Sequence, residues 1–325
     1  MKDRILIFDV AKTLAVVLMI IGHVSSTYDS RSYLAPLSEW IYSFHMPLFM
    51  ILSGVFFEKT YRKDIRSLLK SKAVLLLVPV VSWSVVSLVL IELLPVDSTG
   101  WPGVIKSYVF GGGPLRGLWY LKCLFVYLIV NSLAVKLLKS EFAAMVVTIF
   151  VFVLLPDFSF SSIMISFFWI GHFAGRAFRE PVKWQWLLIA GVVMVVTWLL
   201  WKPEYAYINI NRQPFAYLMN VITGASSSLF WMLVIQKILE QMPAESKMLK
   251  WISSPGKLSL GIYVVHIYLY TPELWGWMAA RFPVDSTLVF LSWSLLILAI
   301  SLVLVQLLSK NKWTSLFLLG NSVKT

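Results

Sequence analysis

The chain has 325 residues, of which 59% are hydrophobic and only 14% charged, and its mean hydropathy is +0.79. Soluble globular chains average about 45–50% apolar and about 25% charged residues. These figures exclude a pair of soluble domains, a disordered chain, a collagen and a coiled coil, and predict an all-α polytopic membrane protein. The 28 basic against 16 acidic residues leave a net charge of +12. The basic residues lie mostly in short segments between apolar runs, which the positive-inside rule explains without a nucleic-acid partner. Cys123, the single cysteine, has no partner for an intramolecular disulfide.

An apolar run of about 17–25 residues crosses a bilayer as a helix. In chain order the runs are Ile5–Val24, Trp40–Phe57, Ala73–Leu94, Leu118–Val135, Phe142–Leu155, Ser162–Phe178, Trp184–Trp201, Phe215–Leu239, Leu258–Trp277 and Thr287–Leu308. The first is too long for a signal-peptide core and carries Asp9 and Lys12, so no cleavable signal is predicted. The fifth is short, and the sixth is interrupted by Gly171, His172 and Gly175. Placing the N-terminus inside leaves six basic residues on outer segments: Arg31, Lys106, Arg116, Lys202, Arg212 and Arg281. Lys12 and Lys122 lie within spans, and all the others fall inside. The predicted architecture is therefore a bundle of about ten transmembrane helices with both termini cytoplasmic, one domain over 1–325 and no soluble domain. The longest outer connection, Pro95–Gly117, contains Gly111, Gly112, Gly113 and Pro114. It reads either as a segment folded back into a polar cavity or as a surface loop.

Ionisable groups at membrane depth are expensive and mark functional sites. Asp9, Lys12 and His23 lie in the first span, His45 in the second, Lys122 in the fourth, His172 in the sixth and His266 in the ninth. Eleven positions separate Lys12 from His23, about three full turns, so both project from one helix face roughly 16 Å apart. Alone, Lys12 reads as a snorkelling side chain and His23 as a histidine bonded to a neighbouring carbonyl. Their shared face predicts a polar cavity through the bundle. Under the assigned orientation His45 falls at the level of His23. Beyond the second span, Lys59, Arg62, Lys63, Arg66, Lys70 and Lys72 form a basic cluster. It reads as a topology signal beside anionic lipid, or as a phosphate site. Nucleophile-elbow, zinc-peptidase, Walker and dinucleotide signatures are all missing, and one Cys with scattered His predicts no metal site.

These residues together resemble the integral-membrane acyltransferase 3 family. Lys12, ten residues and then His23 is similar to its first-helix signature. Phe44-His45-Met46-Pro47-Leu48-Phe49 with Leu52-Ser53-Gly54 resembles the second-helix motif of the sugar O-acetylase branch. Arg66-Ser67-Leu68-Leu69-Lys70 leading to Pro79 resembles the family's basic entry to the third helix. Leu118-Trp119-Tyr120-Leu121 and Ser259 to His266 look like later motifs. The resemblance implies a bacterial inner-membrane enzyme that takes an acyl group, usually acetyl, from cytoplasmic acyl-CoA. The acceptor is a hydroxyl of a surface polysaccharide or its lipid-linked glycan precursor. It implies acetyl-CoA as donor substrate with no bound cofactor, and the bilayer and glycan as partners. It further implies His23 and Lys12 as the catalytic pair and Arg66 and Lys70 against CoA. Arg62, His45, Trp119 and Lys122 complete the expected substrate-binding set, with Trp119 and Trp101 placed to stack on sugar. A glycan or lipid transporter or flippase is the competing function. It shares the helix count and the buried charges, but paired broken helices in corresponding halves are missing.

Overall fold

An apolar backbone in lipid has to satisfy its own N–H and C=O groups, and a helix does so within one segment. The computed structural model describes residues 2–27, 35–93, 118–154, 161–179, 181–202, 205, 214–243, 246–269, 281 and 287–321. The α-helices are α1 (Lys2–Thr27), α2 (Ala35–Val55), α3 (Phe57–Tyr61), α4 (Ile65–Lys72), α5 (Val78–Leu93), α6 (Trp119–Leu138) and α7 (Glu141–Leu154). They continue with α8 (Ser161–Ala174), α9 (Trp184–Leu199), α10 (Pro214–Glu240), α11 (Lys247–Lys257), α12 (Ser259–His266), α13 (Thr287–Lys310) and α14 (Lys312–Leu319). Each of the ten predicted spans carries a helix. The second part of the ninth span, and the Pro95–Gly117 connection with Trp101, lie outside the described residues.

Five helical stretches are long and apolar enough to cross a membrane: Leu6–Ser25, Ile65–Val86, Trp119–Leu138, Pro214–Glu240 and Phe290–Lys310. Glu141–Leu154, Ile163–Ala174, Trp184–Leu199 and Ser259–Leu269 are shorter apolar helices. Large apolar side chains face outward, with Leu137 79% and Leu199 71% exposed, joined by Phe150, Trp184 and Leu295. Water does not tolerate so much contiguous apolar surface, whereas lipid solvates it. The chain is a multi-pass membrane protein. Hydroxyls inside the apolar helices bond back to their own backbone, as Ser132 does to the Leu128 carbonyl at 2.6 Å and Thr148 to the Ala144 carbonyl at 2.8 Å.

Among the described residues four helices, α3, α4, α11 and α14, lie outside the predicted spans, α3 sharing only Phe57 with the second. The Asp64 carboxylate starts α4 by accepting from the backbone N–H of Arg66 at 3.0 Å and of Ser67 at 3.2 Å. From there the helix runs through a π-turn, Ala73–Leu77, into α5. The basic loop predicted before the third span is thus largely that helix's first two turns. Helix α11 escapes a hydropathy reading because it is short, carries three lysines, and holds Pro255 and Gly256 near its end. Helix α14 follows the last predicted span, capped by the Asn311 side chain on the Trp313 N–H at 2.8 Å.

The chain forms two compact units, Met1–Phe57 with Ser162–Val303, and Glu58–Ser161 with Leu304–Thr325. In the first unit α1 is the hub, packed against α2, α10, α11 and α12. Leu18 of α1 meets Ile41 and Phe44 of α2 in its core, bordered by Trp40 and Trp231. At the α1–α11 contact Gly256 has no room for a Cβ, which would overlap the Asp9 carbonyl. The Thr13 hydroxyl ties the two helices, donating to the Ile252 carbonyl at 2.7 Å and accepting the Gly256 N–H at 2.8 Å. Helices α2 and α8 cross on a reciprocal pair, for a Cβ on Gly54 would overlap the Phe168 carbonyl and one on Gly171 the Ile51 carbonyl. Such small-residue crossings bring membrane helices to backbone contact.

In the second unit α6 and α7 pack as a hairpin through Lys139, whose φ of 52° is left-handed. The Tyr61 hydroxyl donates to Glu141 at 2.6 Å, and the Lys136 ammonium donates to the Lys63 carbonyl. Helix α14 ends on Gly320, whose φ of +69° requires glycine and whose backbone lies against the Leu75 carbonyl. The Trp83 indole N–H donates to the Leu318 carbonyl at 2.9 Å, holding α14 to α5.

The α2–α8 crossing makes a quantitative expectation. Gly171→Val should destabilise the protein by about 1–3 kcal/mol or more, the usual range for overpacking. Gly191→Ala meets only the rim of the Phe230 ring at 3.1 Å, gains helix propensity, and should be neutral. Heating the detergent-solubilised variants and measuring the fraction that remains monodisperse checks both. Equal stability of Gly171→Val and the parent would rule out the close crossing.

Candidate functional site

His23 is placed by what precedes it. Gly22 presents no side chain to α2, and a Cβ there would stand 3.0 Å from Ile41. Helix α2 therefore approaches closely enough for the Tyr42 hydroxyl to lie 3.2 Å from His23 Nδ1. On the other side the His266 ring, at the end of α12, has its centroid 5.4 Å from that of His23, with planes tilted by 31°. His45 packs edge-on to Tyr42 with centroids 5.1 Å apart. Three histidines and a phenol from α1, α2 and α12 thus form one chain of aromatic contacts. His45 and His266 are each only 2% exposed.

The backbone sets the tautomers of two of these rings. His45 Nδ1 donates to the Ile41 carbonyl at 2.8 Å, and His266 Nδ1 donates to the Ile262 carbonyl at 3.1 Å. A carbonyl only accepts, so in each neutral ring Nε2 carries no hydrogen and is a basic lone pair. His266 Nε2 is buried and has no hydrogen-bond partner among the described residues. His23 differs because a hydroxyl can donate or accept, and its Nδ1 can take either role. The sequence reading names His266 among the intramembrane histidines but leaves it out of the site. The signal was the contact partner, which only the fold supplies. His172 lies apart from the other three in its surroundings, edge-on to Phe57, Trp169 and Phe173 at 5.0–5.6 Å.

Lys12 shares the helix of His23 but is held at the other end of the stripe. Its ammonium lies 3.6 Å from the Asp9 carboxylate and 5.6 Å from the centre of the Phe56 ring. A half-buried ammonium thus has one carboxylate and one ring face beside it.

The second unit holds the basic set. Lys63, Ser67, Lys70, Lys72, Gly320 and Asn321 border a cavity of about 740 Å³. Arg66 is exposed at the start of α4 and does not border it. Arg62 donates to Glu58 at 2.7 Å, so its charge is already compensated. Burial and then the Glu141 carboxylate push the Tyr61 phenol above its ordinary pKa, so this hydroxyl stays protonated as a donor. Trp119 is buried at the first turn of α6, edge-on to Tyr120 at 6.2 Å, with Lys122 half-buried one turn on. Of the six cations, Lys63, Lys70 and Lys72 border the cavity, and Lys59, Arg62 and Arg66 do not.

Nodulation protein NolL of Mesorhizobium japonicum is 25% identical over 235 residues, 64% of this chain and 60% of that protein. Nodulation protein NolL of Sinorhizobium fredii is 34% identical over 87 residues, 25% of this chain and 24% of that protein. The chain thus spans less than two thirds of the length of either relative. No solved structure matches it. The model of the acyltransferase domain matches residues 5–309, so nearly the whole chain, with the clustered histidines and the lysines of the cavity inside the match, belongs to the acyltransferase 3 family.

Proposed function

We propose that the protein is a membrane O-acyltransferase that carries an acetyl group from cytoplasmic acetyl-CoA to a hydroxyl of a cell-surface glycan or its lipid-linked precursor. It does so through ten spans of the bacterial inner membrane, with both termini inside. The observation that carries this reading is His23, on the helix it shares with Lys12, with the Tyr42 hydroxyl 3.2 Å from its Nδ1 and the His266 ring beside it. Ester formation from a thioester needs the acceptor hydroxyl to lose its proton as its oxygen attacks the acyl carbon. A neutral imidazole is suited to take that proton. The Tyr42 hydroxyl bonded to Nδ1 orients the ring. The sulfur of CoA leaves and takes up a proton, so the products are ester and thiol.

The donor's phosphates fit the lysine-bordered cavity, since ammonium groups and hydroxyls at one place are what phosphate oxygens accept from. Lys12, lying between the cytoplasmic end of α1 and His23, supplies a cation along the path of the pantetheine arm. Trp119 and Lys122 are assigned to the acceptor side.

Three outcomes test the assignments. His23→Ala should lower acetyl transfer by about 10²–10⁴-fold, the usual contribution of a general base, while CoA binding is retained. Mass spectrometry of surface-glycan acetylation and CoA binding to purified protein measure the two separately. Normal acetylation by a folded His23→Ala protein removes the base assignment. Lys12→Leu should impair use of acetyl-CoA and Lys12→Arg should retain it, as read from the KM for donor. Equal KM in both means that Lys12 is only a packing residue. Finally, Lys63→Gln with Lys70→Gln should weaken CoA binding by about tenfold at low salt, with the difference shrinking as salt rises. Arg62→Gln should leave affinity unchanged, and Arg66→Gln should lower it less than Lys70→Gln. Unchanged affinity in the double lysine variant returns the cluster to a topology signal.

A further inference from the structure

His266 has a geometry that a packing histidine does not need. A buried ring normally satisfies both nitrogens, because an enclosed acceptor without a donor is destabilising. In His266 only one is satisfied. Nδ1 donates to the Ile262 carbonyl at 3.1 Å, which strips the hydrogen from Nε2 of the neutral ring. Nε2 is then enclosed with no partner among the described residues. The ring is 2% exposed, so bulk water does not compensate. The groups around it are the His23 ring from α1 at 5.4 Å and Tyr263 on its own helix at 5.9 Å. Tyr42 and His45 of α2 stand behind His23. Two imidazoles at that spacing are within a small ring rotation, or one water, of a hydrogen bond between nitrogens.

We infer that His266 is a positioning residue of the reaction, whose bare Nε2 receives the N–H of the His23 imidazolium and holds the transferred proton between the two rings. This rests on the reading of His23 as the base. The step balances without any further reactant. The acceptor O–H bond breaks as its oxygen bonds the acyl carbon, and the proton goes to His23. The cation so formed donates to His266 Nε2, which disperses its charge over two rings in an apolar surround. The C–S bond breaks, the proton passes to the CoA sulfur, and both imidazoles are neutral again. Thioester and hydroxyl are consumed, ester and thiol are formed, and nothing is oxidised or reduced. His45 has the same carbonyl lock, but its ring meets Tyr42 rather than the reacting histidine.

The test uses full-length protein in detergent-opened membranes of the cells that make it, with radiolabelled acetyl-CoA and the acceptor those membranes contain. His266→Asn retains an N–H for the Ile262 carbonyl and loses the Nε2 lone pair. Its expected signature is a kcat at least tenfold lower, a KM for acetyl-CoA within about twofold, and an unchanged melting temperature. A merely structural histidine would move stability or KM instead. His266→Leu, which offers no lone pair, is judged by the same constants if the Asn variant does not accumulate. A kcat near that of the parent in either folded variant overturns the inference. His23→Ala, measured alongside, keeps the two readings apart. Full activity in His23→Ala removes the base assignment, whereas a silent His23→Ala with an active His266→Asn overturns only the role of His266.

Discussion

An imidazole enclosed by apolar helices has one donor and one acceptor to place, and the rest of the site follows from where the donor goes. His45 and His266 give theirs to the carbonyl one turn back, Ile41 and Ile262, bonds available to any histidine on a helix. That choice leaves a basic nitrogen in each ring. His23 makes no such bond in its contact with Tyr42. A phenol serves a ring nitrogen in either tautomer. Of the three clustered rings His23 is the half-buried one. On the proposed function, its contact with a hydroxyl suits it to move a proton.

Such contacts between rings on three helices require the helices to approach closely, and glycine supplies the approach. Gly22 admits the side chains of α2 next to His23, and Gly256 admits α11 to the Asp9 carbonyl. At the latter contact Pro255 has no N–H of its own to satisfy, and Thr13 takes both the Ile252 carbonyl and the Gly256 N–H. The two contacts sit near opposite ends of the face that runs from Asp9 to His23. Helix α1 is therefore held at both ends of the stripe, and the spacing of Lys12 and His23 along it is preserved by packing on either side.

Hydropathy finds a helix in each of the ten apolar runs because each is a local sum, while among the described residues five helical stretches are long and apolar enough to cross a membrane. It fails for α4 and α11, whose polar residues average out the apolar face, and for the π-turn at Ala73–Leu77, which no composition signals. In the site, residues on one helix were legible together. Lys12 and His23 need only the helical repeat to share a face. His266 is 243 positions from His23, and their meeting depends on how α12 returns to α1. Likewise the basic cluster was legible as charge, but its division into Lys63, Lys70 and Lys72 around a cavity and Arg62 against Glu58 is a tertiary fact. The C-terminal wall of that cavity, Gly320 and Asn321, carries no charge at all and offers no sequence signal beyond a glycine after a helix.

The division of charges from imidazoles follows from what an apolar interior tolerates. An uncompensated ion in an apolar interior is prohibitive, whereas a neutral polar group with one hydrogen bond is tolerable. The lysines therefore stay with the cavity of the second unit, and the histidine cluster of the first unit contains no permanent charge. Lys12 is the intermediate case, with the Asp9 carboxylate and the Phe56 face beside it. On the proposed function the same rule applies to the ligand. The nucleotide of acyl-CoA, with its phosphates, has to remain among cations, and only the thioester end is neutral enough to enter the bundle. A reaction at His23 then creates one positive charge there, transiently, and a second imidazole with a free lone pair is the least costly way to accommodate it.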